Sequence, residues 1–255
     1  MPCPHFYSCR SLAVAFTIYM DKVLYLLLLA PAFVSALTIH EFAHAWAAYK
    51  LGDDTAQRQG RLTLDPLAHL DPIGTLLIVV AIFTGAPLIG WAKPVPFQMR
   101  NLGNPRRDAM LIALAGPVSN ILQAIFWLIM LVIFRFVTQS SGVVFNGGEV
   151  VDMIRINPDL NSIPSIIGTI LITAFSMNIM LAVFNMIPLP PLDGHYVLEH
   201  YAPPAISDLF DQIRPYSFMI LLGLLWFGVL GAILAPFRDL VFQIIAVVFG
   251  MTYTR

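Results

Sequence analysis

Long apolar runs are the feature that most restricts the fold of this chain. Four of them, at residues 23–49, 109–137, 163–187 and 216–235, reach the ~20 residues that a helix needs to cross a bilayer. A helix satisfies its backbone hydrogen bonds internally, and the hydrocarbon of a membrane offers no other partners. The runs therefore predict an all-α, polytopic membrane protein.

The composition agrees with a membrane setting. The chain has 255 residues, of which 58% are hydrophobic and 11% are charged, whereas soluble domains carry about 25% charged residues. A net charge of −1 gives no indication of nucleic-acid binding or of a polybasic surface. The two cysteines, Cys3 and Cys9, are close together near the N-terminus, where a loosely ordered tail is favoured over a metal cluster or a disulfide framework.

Two shorter runs put the expected number of transmembrane helices at five or six. Residues 240–251 follow a polar break at 236–239, and residues 73–91 contain glycines and a proline that loosen a helix. Basic residues flank the second of these runs on both sides, at 50–61 and 93–107. Because basic loops stay on the cytoplasmic side, a re-entrant element at 73–91 is favoured over a full crossing.

Three regions are expected along the chain. Residues 1–22 form an N-terminal tail and interfacial segment, residues 23–200 form the membrane core, and residues 201–255 form a C-terminal transmembrane hairpin. Residues 11–20 are apolar but too short to span a bilayer. No small-residue cleavage site precedes Asp21, so this segment is expected to be retained at the interface.

One apolar run ends in the sequence His40-Glu41-Phe42-Ala43-His44. In a helix, residues four apart share a face, so both imidazoles can bind one Zn²⁺. Glu41 lies beside them, where it could take a proton from a water molecule at the metal. Ionisable residues are costly within a membrane and indicate a functional site there.

A catalytic zinc ion takes three protein ligands, and Asp193 is the candidate for the third. It follows a proline-broken helix end, where a carboxylate can turn inward, and Gly194 permits a tight backbone beside it. An ordinary turn between membrane and loop is the alternative, since Pro, Asp and Gly are common turn residues.

Other polar residues near these motifs have less certain roles. Asn120, Asn178 and Asn185 are candidates to line a polar path to the metal or to hold a bound peptide, with hydrogen bonding between helices as the alternative. An interfacial position is favoured for His195 over an approach to the metal or the substrate. For His69 and Asp65, a solvated loop with helix caps is favoured over a second polar cluster near the metal.

Three motifs in this order resemble those of the site-2 protease family of intramembrane zinc metalloproteases. They are HEFAH at residues 40–44, AGPVSN at 115–120 and the pattern N-x-x-P-x-P-P-L-D-G at 185–194. The resemblance covers roughly residues 23–200 and is closest to a compact prokaryotic branch without PDZ or CBS modules. One departure is His195, which stands where relatives often have a second glycine.

The resemblance implies a function and assigns roles to residues. His40, His44 and Asp193 would hold one catalytic zinc ion, and Glu41 would be the general base. The substrates would be transmembrane helices of other proteins, cleaved within the lipid bilayer of a prokaryotic cell. The basic residues Lys50, Arg58 and Arg61, which follow the first long helix, place the active site toward the cytoplasm. Whether an adaptor or a second copy of the chain takes part stays open.

Two further expectations concern substrate binding and an alternative function. A helical substrate must unwind before it is cut, and segments 55–66 and 91–97 could form a membrane-apposed β element to which it adds a strand. The alternative function is a non-proteolytic membrane protein that binds or transports a metal. The presence of Glu41, which is a base rather than a needed ligand, and the lack of an internal sequence repeat argue against it.

Overall fold

The computed structural model describes the backbone of residues 6–84, 90–138 and 163–250. Within these ranges the chain is mostly helical, as the apolar runs predict. The α-helices, in chain order, are α1 (Phe6–Lys50), α2 (Thr55–Arg58), α3 (Pro66–His69), α4 (Pro72–Thr84), α5 (Pro105–Thr138), α6 (Ile163–Asn185), α7 (Gly194–Tyr201), α8 (Pro204–Ile213), α9 (Ser217–Trp226) and α10 (Val229–Phe249).

Among the described residues, three helices are long and apolar enough to cross a membrane. They are α5, the Ile166–Asn185 part of α6, and α10. The first and the last have 34 and 21 residues, enough to span hydrocarbon about 30 Å thick. The structure thus supports a membrane protein, while the larger predicted number of five or six spans is not confirmed.

The predicted β element is not confirmed either. In the described part of the chain no strand forms, and extended backbone pairs only in one isolated antiparallel bridge between Leu70 and Ala92. Residues Thr55–Arg58, expected to be extended, form the short helix α2. The cause is local, because the Asp53 side chain accepts hydrogen bonds from the backbone and the hydroxyl of Thr55 and so initiates a turn.

Helix α1 differs from the sequence expectation at its start. It runs for 45 residues through Pro31, a length of about 67 Å at 1.5 Å per residue. The helix therefore continues across residues 11–20, which were expected to form a separate interfacial segment. A single proline removes one backbone hydrogen bond, and a helix flanked by others tolerates that loss.

The C-terminal helices break at a different place from the predicted one. The polar residues 236–239 were expected to separate two runs, but α10 continues through Pro236. The break lies at Gly228, whose φ of 73° is the left-handed conformation that favours glycine. Arg238 and Asp239 lie inside α10, where they form an ion pair with each other, with 3.3 Å between Nη2 and Oδ1.

Three helices, α1, α5 and α6, pack together at the centre of the molecule. Small side chains such as Ala36, Ala45 and Ala48 are fully buried on α1, and small residues allow close approach of membrane helices. A second apolar cluster joins α5, α6 and α10; its buried members are Ala124, Leu131, Leu171, Ile172, Phe175, Val241, Phe242, Ile245 and Phe249. This packing holds the polar residues of α1 against α5.

The segment that contains α4 leaves the core and returns to it. Beside the Leu70–Ala92 bridge, the Lys93 amide donates to the carbonyl of His69 over 2.9 Å. A β-carbon on Gly74 would lie 2.8 Å from the Trp91 nitrogen, so the returning backbone runs directly against α4. The two ends of this segment therefore lie side by side.

Asp53 fastens the loop after α1 to the segment before α5. Burial raises the pKa of Asp53, but hydrogen bonds from Thr55, Asn101 and Gln98 outweigh it and lower the pKa below its ordinary value. A carboxyl group with a lowered pKa stabilises the fold above its unfolded pKa of about 3.9, and this stabilisation is lost as the pH falls below that value.

We therefore expect Asp53→Asn to lower the free energy of unfolding by about 1–3 kcal/mol at pH 7, because an amide cannot accept all of these hydrogen bonds. The variant should also show a smaller loss of stability between pH 5 and pH 3, roughly the range of carboxyl titration. Thermal unfolding in detergent at both pH values measures this. Equal pH dependence in the variant and the wild type would contradict it.

Candidate metal centre

His40, His44 and Asp193 meet in the interior, although Asp193 is about 150 residues away from the histidines in sequence. The Nε2 atoms of the two histidines are 3.0 Å apart, and each lies 3.3 Å from Oδ2 of Asp193. Both imidazoles are buried, and the aspartate side chain is 16% exposed. Three metal-ligating groups thus converge on one point.

Asn120 fixes the orientation and the tautomer of His40. Its Nδ2 donates to the carbonyl of Ala36 over 3.2 Å and to Oδ1 of Asn178 over 2.9 Å. The amide oxygen of Asn120 must then face Nδ1 of His40, 2.6 Å away. Because that oxygen can only accept, Nδ1 carries the proton and the Nε2 lone pair of His40 points toward the metal-ligating group.

His44 is held in the same way by backbone. Its Nδ1 lies 2.7 Å from the carbonyl oxygen of Ile112 on α5, and a carbonyl can only accept a hydrogen bond. Nδ1 of His44 is therefore also protonated, and its Nε2 presents a lone pair. The described residues thus orient both histidines as ligands.

This arrangement fits a zinc ion. Two Nε2 lone pairs face each other with no proton between them, and Oδ2 of Asp193 is buried with no hydrogen-bond donor among the described residues. A metal cation would satisfy all three atoms at once. Ligands at 2.0–2.1 Å in tetrahedral geometry lie roughly 3.3 Å apart, and the separations found here are 3.0 and 3.3 Å.

Gly116 lets α5 approach the two histidines. A β-carbon at this position would lie 2.5 Å from Cε1 of His40 and 2.5 Å from Cε1 of His44. Any larger residue would displace the imidazoles. The AGPVSN motif therefore supplies both a gap for the histidine pair, at Gly116, and a hydrogen-bond acceptor for His40, at Asn120.

Glu41 is buried beside the metal-ligating group and has a basic neighbour that the sequence analysis missed. Arg61, in the loop after α2, is only 4% exposed and donates a hydrogen bond to the carbonyl of Lys93. Burial lowers the pKa of Arg61, and the negative charge of Glu41 acts in the opposite direction. The only sequence signal was a basic residue in a short loop, which normally indicates solvent exposure.

The remaining candidate residues lie outside the metal-ligating group. Asn178 is fully buried and donates to the carbonyl of Ala174, and Asn185 donates to that of Leu181. Asn120 on α5 also donates to Oδ1 of Asn178 on α6, so these two residues join the helices, and a polar path lined by the asparagines stays a prediction. His195 is buried, and its Nδ1 bonds the Leu192 carbonyl.

His69 is fully buried, so the predicted solvated position was wrong. Its Nε2 lies 2.8 Å from the carbonyl oxygen of Thr63. Asp65 caps α3 by accepting from the Leu67 amide, as expected. The loop is folded around His69 because its backbone also bonds Lys93.

We expect Asn120→Ala to weaken zinc binding by about 10–100-fold, the usual effect of removing the partner that orients a metal ligand. The histidine would lose its tautomer preference while all three ligands remain. Competition with a chelator of known affinity measures the change. Gln243→Ser, at an exposed position on α10, is the control. Unchanged zinc affinity in Asn120→Ala would contradict the role given to Asn120.

The fold and the site together define a class: a helical membrane protein with a His-His-Asp metal centre and a glutamate next to the first histidine, as in metallopeptidases. Comparison with known families gives the particular family. The model described as "Peptidase family M50" matches residues 28–227. This chain belongs to that family, which confirms the resemblance found in the motifs.

Individual relatives agree with this assignment. The chain is 38% identical over 239 residues to "Putative zinc metalloprotease YwhC" of Bacillus subtilis, covering 90% of this chain and 98% of that protein. It is 27% identical over 200 residues to "Putative zinc metalloprotease Rip2" of Mycolicibacterium smegmatis, covering 78% of this chain and 66% of that protein. "Putative zinc metalloprotease Rip2" of Mycobacterium tuberculosis H37Rv is 27% identical over 192 residues, covering 74% of this chain and 62% of that protein. No solved structure matches the chain.

Proposed function

We propose that this chain is an intramembrane zinc metalloprotease of the site-2 protease type, which hydrolyses peptide bonds within or near transmembrane helices. The observation that carries the proposal is the convergence of His40, His44 and Asp193 beside Glu41, between apolar helices. Membership of peptidase family M50 and the names of the relatives support it.

The chain's own residues perform the following steps. Glu41 accepts a proton from the attacking water molecule and delivers it to the leaving amine. Asn120 and the Ile112 carbonyl keep the two histidines in the tautomer that leaves Nε2 free. A bound zinc ion would supply the Lewis acidity that polarises the scissile carbonyl and stabilises the developing negative charge.

The site is proposed to face the cytoplasm of a bacterial cell. The Leu70–Ala92 bridge brings both ends of the α4 segment together, which supports a re-entrant element with the basic residues of 50–61 and 93–107 on one side. α4, with 13 residues, is shorter than a span. The bacterial origin rests on the relatives.

The proposed partners are the bilayer and transmembrane helices of other proteins, as in regulated intramembrane proteolysis. A helical peptide bond is poorly exposed, so the substrate must unwind near the cut. The non-helical backbone at 91–97 is proposed to receive the unwound segment by strand addition. The bridge at Ala92 supports this, because it shows that the backbone there can pair with a neighbour.

The test is cleavage of a panel of transmembrane substrates in liposomes by the wild type and by Glu41→Gln, with zinc content measured in both. We expect Glu41→Gln to lower cleavage by about 10²–10⁴-fold, the usual contribution of a general base, and to keep its zinc. If both proteins bind zinc and neither cleaves any substrate, the proposed function is wrong and metal flux becomes the next measurement.

A further inference from the structure

Two fully buried asparagines connect helix α6 to a metal ligand on α1. Asn120 on α5 and Asn178 on α6 are both 0% exposed, and Nδ2 of Asn120 donates to Oδ1 of Asn178 over 2.9 Å. The oxygen of Asn120 in turn lies 2.6 Å from Nδ1 of His40. Asn178 is therefore two side-chain hydrogen bonds away from the metal centre.

The backbone of α6 sets the direction of this hydrogen-bond chain. Nδ2 of Asn178 donates to the carbonyl oxygen of Ala174 over 2.9 Å, and a carbonyl can only accept a hydrogen bond. Oδ1 of Asn178 therefore faces Asn120 as an acceptor. Asn120 must turn its NH2 group to this acceptor and its own oxygen to His40, which is the orientation that leaves Nε2 of His40 free for a metal ion.

The reversed orientation of the chain is unfavourable at both of its ends. If the amide of Asn178 turned over, its oxygen would face the Ala174 carbonyl. The oxygen of Asn120 would then face the Ala36 carbonyl. Neither pair of oxygens can form a hydrogen bond, and solvent cannot supply another partner because both amides are fully buried. The Ala174 carbonyl on α6 thus helps to determine the tautomer of His40.

Helix α6 also supports the third ligand. Asp193 lies in the turn that follows this helix, and the turn packs directly against the end of α6, because a β-carbon on Gly194 would overlap the Met186 carbonyl. His44, in contrast, bonds to the backbone of α5. Two of the three ligands therefore depend on the position of α6.

We propose that Asn178 is a positioning residue of the metal centre, which acts through Asn120 to hold Nε2 of His40 toward the metal. By this route α6 orients a ligand on α1 in addition to carrying Asp193. The proposal goes beyond the proposed function, because it concerns the assembly of the metal centre and is tested by zinc binding whether or not the chain cleaves a substrate.

Asn178→Leu tests this role, because leucine has the same number of side-chain heavy atoms and no hydrogen-bonding group. We expect about fivefold weaker zinc binding in chelator competition, roughly the effect of losing one neutral hydrogen bond, since the Ala36 carbonyl still holds Asn120. Asn178→Asp should stay within about twofold of the wild type, because a carboxyl oxygen accepts from Asn120 in either protonation state. Ser176→Ala, which removes another buried polar group from α6, is the control and should bind zinc as the wild type does.

A double-mutant cycle separates positioning from a general effect on packing. Asn178→Leu is combined with Asn120→Ala, which removes the link to His40. If Asn178 acts through Asn120, its substitution causes no further loss of zinc affinity in that background. An equal loss in both backgrounds would overturn the proposal, because Asn178 would then act on packing alone. Wild-type affinity in Asn178→Leu, or equal losses in the leucine and aspartate variants, would also overturn it.

Asn178→Ala repeats the cycle if circular dichroism shows that the leucine variant does not fold. Alanine also removes the acceptor, so we expect weaker zinc binding in the wild-type background and no further loss beside Asn120→Ala. A loss of the same size in both backgrounds would again contradict the role of Asn178. A wild type that binds zinc and cleaves nothing would overturn the proposed function, and the outcome of this cycle would still decide the role of Asn178.

Discussion

Gly116→Ala is expected to abolish both zinc binding and cleavage. Its β-carbon would lie 2.5 Å from both imidazole rings, below the 3.0 Å that real contacts essentially never cross. Because α1 and α5 are packed along their small residues, the imidazoles must move rather than the helices. We expect zinc affinity to fall at least about 100-fold, the upper end of effects from misplacing a metal ligand, and cleavage to fall with it. Zinc content after purification and cleavage in liposomes measure this.

Gly231→Ala is the matched control for that experiment. Gly231 is in α10, and no described atom lies within 4 Å of the β-carbon that alanine adds there. This variant should keep wild-type zinc content and activity. Wild-type zinc affinity in Gly116→Ala, with the helical fold intact by circular dichroism, would contradict the geometry given for the histidine pair.

Asp193→Ala is the second change with a large expected effect. It removes the carboxylate whose Oδ2 lies 3.3 Å from both Nε2 atoms and leaves two nitrogen ligands. Catalytic zinc sites use three protein ligands, so we expect no stoichiometric zinc and no measurable cleavage. Chelator competition and inductively coupled plasma mass spectrometry measure the metal.

The control for Asp193→Ala is Asp208→Ala, which removes an exposed carboxylate from α8. Zinc should be retained in that variant. Full zinc occupancy in Asp193→Ala would mean that another residue is the third ligand. His195 would then be the first to test, because it lies two positions away, although its Nδ1 already contacts the Leu192 carbonyl.

The local part of the site could be predicted from the sequence. The four-residue spacing of His40 and His44 fixes a shared helix face, since the helical repeat sets side-chain direction. The buried setting of Glu41 follows from the apolar run around it. Asp193 was the candidate third ligand from its proline-broken turn, with an ordinary turn as the alternative, and the resemblance to a family favoured the ligand role.

The long-range part could not be predicted. Asn120 is 80 residues from His40 in sequence. Whether its side chain reaches the histidine depends on how α5 packs against α1. Gly116 was part of a predicted motif, but its contact with the two imidazole rings could not be predicted, because a sequence does not show which glycine faces a neighbouring ring. Arg61 entered the sequence prediction only as one of the basic residues after the first long helix, whereas it is buried and donates to the Lys93 carbonyl.

The predicted boundary between the C-terminal helices was wrong for a related reason. A proline predicts a break from local chemistry, but Pro236 lies within α10. A membrane helix tolerates a proline where neighbouring groups can replace the hydrogen bond that it removes. Gly228 ends the preceding helix because it adopts a left-handed φ. The sequence does not show which of Pro236 and Gly228 ends a helix, because proline and glycine are both common in turns.

Zinc X-ray absorption of the purified wild-type protein tests the metal centre most directly. We expect one zinc ion per chain with nitrogen and oxygen neighbours at about 2.0–2.1 Å, two of them with the scattering of imidazole rings. Sulfur neighbours at about 2.3 Å would instead indicate Cys3 and Cys9 as ligands. That result, or a protein that binds no zinc, would contradict a metal centre formed by His40, His44 and Asp193.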